Sequence, residues 1–106
     1  MTELPVACCL SPGELKQRER EISALFADAL TGAQLEDRRL ELRFGPGEDV
    51  FHRVEALASA ERRCCAFLTF EVTGGDRAPA LAIDAPAGAE DTLAGFAAVA
   101  REALQR

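Results

Sequence analysis

Four thiols in two adjacent pairs, Cys8 and Cys9 in VACCLSPGE and Cys64 and Cys65 in ERRCCAFLTF, are the residues of this chain best suited to chemistry. Random placement of four cysteines in a chain of this length yields two adjacent pairs about once in a thousand arrangements, so the doublets ask for a cause beyond packing. Thiolates are soft ligands, favouring zinc, copper(I), mercury or iron–sulfur clusters over magnesium and calcium. Structural zinc sites commonly leave roughly two to four residues between paired cysteines. The doublets depart from that spacing, so the pattern is neither a zinc finger nor a zinc ribbon. Four thiolates complete a tetrahedral zinc site, whereas copper(I) or mercury can be held by fewer. The residues therefore suit either one shared site at Cys8, Cys9, Cys64 and Cys65 or a carrier using two cysteines at a time.

The surroundings of the pairs differ. Cys8 and Cys9 stand just ahead of an expected helix start, where the positive end of the helix dipole favours the thiolate and makes this pair the more nucleophilic when no metal is bound. Cys64 and Cys65 stand at an expected helix end, where the dipole opposes ionisation and Arg62 and Arg63 partly offset it. Glu61 precedes Cys64 by three residues and Cys65 by four, which puts its carboxylate on the thiol face of a helix as an outer hydrogen-bond acceptor or an occasional ligand. The commoner state of a charged helix residue is full solvation. His52 lies about 18 Å along the helix axis from Cys64 and reads as a surface or boundary residue. Two blander readings of the cysteines exist, as small buried hydrophobes or as disulfides. Adjacent residues point in different directions and do not bury by one logic, and a disulfide between neighbours strains the peptide.

Positioning these residues requires a helix, strand and hairpin framework. Ser11, Pro12 and Glu14 form a helix-start signal, and Leu15, Ile22, Leu25, Phe26 and Leu30 then recur at helical spacing, with Thr31 and Gly32 as a stop. Leu40, Leu42 and Phe44 alternate with Arg39, Glu41 and Arg43 as in a strand with one buried face. The segment EDVFHRVEALASAERRCC carries Val50, Phe51, Val54, Leu57 and Ala58 at helical spacing, acids first and arginines last. AFLTFEV reads as a strand with Phe67, Leu68 and Phe70 in the core, GGDRAP as a hairpin connection and ALAIDA as the partner strand. Leu93, Phe96, Val99, Ala100 and Leu104 mark one face of a last helix over 91–105. The expected order is an extended N-terminal piece followed by α, β, α, β, β, α. This predicts an α+β fold, a small and mostly antiparallel sheet with about three helices packed on one face.

Length and composition bound the function. The 106 residues suit a single domain spanning 1–106. Eighteen acidic against twelve basic residues give a net charge of −6, which argues against nucleic acid and anionic membrane surfaces as partners. No apolar run is long enough to span a bilayer. The start MTELPVACC lacks the basic and apolar regions of an export signal, so a soluble protein of the reducing cytoplasm is expected, where clustered cysteines more often bind metal or do redox chemistry. Sheet edges and Ala-rich helices leave room for a homodimer.

The run E-R-R-C-C-A-F-L-T-F resembles a motif of small bacterial proteins in which Glu, two residues, Cys-Cys and an apolar-aromatic strand recur, usually with Pro where Ala66 stands here. That resemblance implies thiol-rich metal handling. ACCLSPG is also similar, locally, to the vicinal-cysteine signature of bacterial mercury-uptake proteins, which are membrane helices. The leading expectation is a protein that binds a soft metal ion, zinc, copper(I) or mercury, for storage, transfer, sensing or resistance. The chief rival is a thiol enzyme, exchanging disulfides or cleaving a carbon–metal bond with Glu61 as proton donor. A third class is an interaction domain whose metal is structural.

Overall fold

In the computed structural model, which describes residues 12–64 and 67–105 and gives the backbone alone for 12–15 and Cys64, Pro12 opens the first helix, where its fixed φ and missing N–H cost nothing. Helix α1 (Pro12–Ala29) buries Ile22, Leu25 and Phe26. The chain passes directly into strand β1 (Leu30–Glu36), which pairs antiparallel with β2 (Arg39–Phe44) across a turn at Asp37 and Arg38. Asp37 has a φ of 50°, a left-handed conformation that a short polar side chain tolerates better than most. Helix α2 (Glu48–Cys64) starts with Glu48 and Asp49 and ends with Arg62 and Arg63, complementing its dipole at both ends. Strands β3 (Thr69–Thr73) and β4 (Ala80–Asp84) form a second hairpin, and helix α3 (Glu90–Leu104) follows.

The sheet order is β1-β2-β4-β3 with every neighbouring pair antiparallel. Strands β2 and β3 thus run parallel with β4 between them, and α2 makes the crossover. Period-2 alternation sorts the faces. Leu40, Ile83 and Phe70 lie in one row across the sheet and Leu42, Leu81 and Val72 in the next. These rows meet the helices: α2 packs on β3 and β4, α3 on β1 and β2, and α1 contacts both helices as well as β1. The buried apolar side chains form one cluster, in which the Phe26 and Phe44 rings meet at 6.1 Å. The opposite face carries Arg39, Glu41, Arg43, Glu71 and Asp84, with Arg39 donating to Asp84 at 2.8 Å and to Glu41 at 3.3 Å. This is the α+β architecture the sequence predicts. No helix among the described residues is long and apolar enough to cross a membrane.

Three expectations need correction. Strand β1 was read as a helix stop, because Thr31 and Gly32 interrupt the alternation; Gly32 sits at a register irregularity against Arg43, whose guanidinium occupies the space a Cβ would need. Phe67 is not strand core. It lies in the turn before β3 and is 49% exposed, while Leu68 and Phe70 are buried as expected. Leu104, assigned to the buried face of the last helix, is exposed at that helix's end. The expected N-terminal extension and Ser11 lie outside the described residues.

Helix α3 has no side-chain N-cap at Ala89; instead the Glu90 carboxylate accepts the Gly88 N–H at 2.7 Å. Hydrogen bonds from its own backbone N–H and from that of Gly88 hold the Glu90 carboxyl below its usual value. A carboxylate lowered on folding stabilises the fold above its unfolded value, and that contribution is lost as pH falls through the folded value. The drop in melting temperature between neutral pH and pH ~3 is therefore expected to be smaller in E90Q than in the parent, with E90Q the less stable at neutrality. Paired thermal melts at the two pH values check this.

Candidate functional site

Cys64 is the last residue of α2, so the mid-chain doublet begins where the helix ends, as expected. Cys65, Cys8 and Cys9 lie outside the described residues. Among the described residues no group of three or more His, Cys, Asp and Glu side chains is arranged to hold a metal ion. His52 is exposed on α2 and lies 3.7 Å from Glu48 and 3.9 Å from Glu55, in keeping with a surface role.

Glu61 departs from the solvated state common for its residue type. It is 0% exposed, and its Oε1 accepts a hydrogen bond from Nη1 of Arg18 on α1 at 3.0 Å. A buried carboxylate is tolerated where a charge-assisted hydrogen bond offsets its desolvation. The sequence holds a signal for this pairing. Glu61 continues the buried stripe of Val54, Leu57 and Ala58 along α2, and Arg18 stands four residues before Ile22 on the stripe of Ile22, Leu25 and Phe26 along α1. One charge of each sign therefore interrupts each apolar face, and the two meet.

A second contact ties down the residue that follows. Arg62 donates from Nη2 and Nε to the Phe70 carbonyl at 2.8 and 3.2 Å, joining the last turn of α2 to β3. The bond thus ties α2 to β3 on either side of the connection that carries the doublet. From the sequence Arg62 is legible only as a charge beside the thiols, because a single arginine spanning to a main-chain oxygen eight residues later leaves no periodic signature.

At the far end of the same helix pair Arg53 donates to Asp28 at 3.2 Å. Pairing of 18 with 61 and of 28 with 53 sets α1 and α2 antiparallel, so the first turns of α1 and the last turn of α2 lie at one end of the pair. Between the two ion pairs runs a groove of about 270 Å³ floored by Ile22, Leu25 and Leu57, with Ala24, Ala56 and Ala60 along it. A helix carboxyl end carries partial negative charge, an electrostatic setting that favours a cation.

Fold and site together define a small α+β protein with a cysteine doublet that starts at a helix carboxyl terminus and a buried ion pair three residues before it. Comparison with models of protein families, with curated proteins and with solved structures yields no match to this chain.

Proposed function

We propose that this protein binds a soft metal ion, zinc, copper(I) or mercury, through Cys8, Cys9, Cys64 and Cys65, and serves metal storage, transfer, sensing or resistance in the cytoplasm. The observation that carries the reading is the antiparallel register of α1 and α2 fixed by Arg18 and Glu61. From the level of that ion pair Pro12 lies about 9 Å along α1 and Cys64 about 4.5 Å along α2, both toward the same end. Cys9 precedes Pro12 by three residues, a stretch that spans at most about 10 Å. Interaxial separations of packed helices are roughly 8–10 Å, so a common centre for both doublets is compatible with this register. The donor set itself, four thiols with a helix carboxyl end beside one doublet, suits a soft cation and no hard one.

The test is metal content and thiol protection in anaerobically purified protein. About one ion per chain with four thiols protected until a chelator is added is the expected result. Substituting Cys8 or Cys64 singly by serine is expected to weaken binding at least about tenfold in each case, because each removes a ligand from a closed tetrahedral set. Metal-free protein with four freely reactive thiols, or dependence on only one of the two substitutions, rejects the shared site. Melting with and without chelator then separates cargo from structural metal, since loss of a structural ion unfolds the chain.

A further inference from the structure

We infer that β1 is a self-pairing edge: two copies of this chain join antiparallel along it, about a two-fold axis at Gln34, and merge their four-stranded sheets into one. This goes beyond the metal reading and does not depend on it. The main chain of β1 is aimed for such a union. Phe44 donates its N–H to the Pro79 carbonyl and Ala85 donates to the Arg38 carbonyl, so the even-numbered residues of this stretch bond toward β4. The odd-numbered ones bond toward β1, as Gly45 does in donating to the Ala29 carbonyl. By the register, Gln34 and Glu36 are the partners of Glu41 and Arg39, which leaves Ala33 and Leu35 with their N–H and C=O groups directed away from the sheet. Among the described residues no strand meets them.

The strand itself does little to discourage a partner. No proline, lysine or arginine stands in Leu30–Glu36. The irregularity between Leu30 and Gly32 confines regular pairing to residues 32–36. Within that stretch Ala33 and Leu35 are only partly buried against the core. An axis at Gln34 sets Ala33 opposite Leu35 of the second copy, apolar against apolar on the helix side, and Gln34 opposite Gln34 on the open face.

Charge selects this axis over its neighbours. Arg43 Nη2 lies 2.7 Å from where a Cβ on Gly32 would stand, so the guanidinium reaches from β2 across Gly32 toward the edge. Glu36 stands at the other end of the same stretch on the same face, where it accepts a hydrogen bond from the neutral Gln34 amide at 2.9 Å. Among the described residues neither Arg43 nor Glu36 enters an ion pair. The axis at Gln34 puts Glu36 opposite Gly32 of the second copy, beside that copy's Arg43 guanidinium, and the symmetry makes the pair twice. An axis at Leu35 instead directs Arg43 toward Arg38 of the second copy. One at Ala33 carries the pairing across the irregularity, where inward and outward side chains fall out of step.

Sedimentation velocity on the full chain, with the thiols kept reduced, reads the outcome. The parent is expected to show a monomer–dimer equilibrium at micromolar concentrations that weakens as salt is added. Glu36→Arg and Arg43→Glu are each expected to raise the dissociation constant at least about tenfold, since each turns two opposed pairs into like charges. The combined E36R/R43E is expected to restore parental association, because the swapped charges meet again across the axis. Ala33→Pro removes an N–H directed away from the sheet, so its chain is expected to fold and to remain monomeric. If that variant does not fold, Gln34→Lys carries this arm by placing two ammonium groups at the axis; a monomer supports the inference and a parental dimer overturns it. A parent that stays monomeric at millimolar concentration overturns it, as does a dimer indifferent to both single charge reversals. A dimer that a chelator dissolves while every edge variant keeps it is bridged by metal, and likewise overturns the edge assignment.

Discussion

Arg18→Met is expected to destabilise the protein by about 3 kcal/mol, because it removes a charge-assisted hydrogen bond and the opposite charge from a carboxylate that stays enclosed. Glu61 is 0% exposed and sits near the end of α2, which Arg62 holds to β3. Arg18 itself retains some solvent contact, which places the loss near the lower end of the roughly 3–5 kcal/mol seen when such pairs are broken. Against a typical total of about 5–15 kcal/mol for a domain, this is a large fraction. Replacing both partners, as in R18M/E61L, is expected to recover most or all of it, since the desolvation penalty disappears together with the attraction. Urea unfolding of the parent, the two single variants and the double variant closes a thermodynamic cycle that isolates the coupling. Additive single effects would show that the two side chains do not interact.

Gly74→Ala is expected to cost at least about 2 kcal/mol, through backbone strain and a collision acting together. Gly74 opens the β3–β4 connection with a φ of 83°, a region L side chains rarely adopt, and a Cβ there would be driven into the Ala78 carbonyl oxygen. The obstacle is main chain and cannot rotate away. Ala78 also donates its N–H to the Gly74 carbonyl at 3.2 Å, so opening the turn to admit a methyl group breaks the bond that closes it. Gly75 provides an internal control. It too has positive φ, at 55°, but no atom stands near its hypothetical Cβ, so Gly75→Ala is expected to show the conformational part of the penalty alone, about 1 kcal/mol. Chemical denaturation of the two variants compares them; equal losses would remove the steric argument.

Where the period of the side chains matched the period of the backbone, the fold was legible. Three helices, the β2 strand and the β3–β4 hairpin follow from apolar spacing and from Gly-Gly turn chemistry. Strand β1 escaped because two of its inward positions, Ala33 and Leu35, follow a Thr-Gly pair that also terminates helices while Leu30 fits the preceding helical spacing, and because its partner is specified by a hairpin turn of Asp37 and Arg38 instead of a Gly-containing one. Phe67 misled because an aromatic beside a strand reads as part of it, although the chain has not yet entered the sheet at that residue. At the site, the doublet's place at the end of α2 could be read from charge order along the helix. The enclosure of Glu61 could not be read from its identity, since charged helix residues are usually exposed. It was nonetheless encoded, as a lone acid on the apolar stripe of one helix answering a lone base on that of another, and pairing across 43 residues becomes visible only once the helices are laid side by side.

Among the described residues strand β3 is bonded to β4 on one side only, and its other side is where a foreign chain could add itself by main-chain hydrogen bonding. The Arg62 guanidinium already occupies the carbonyl of Phe70, the second residue of that strand, with two donors. The side chain that ties α2 to β3 therefore also denies intruding strands a foothold, so its loss is expected to promote precipitation as well as local looseness.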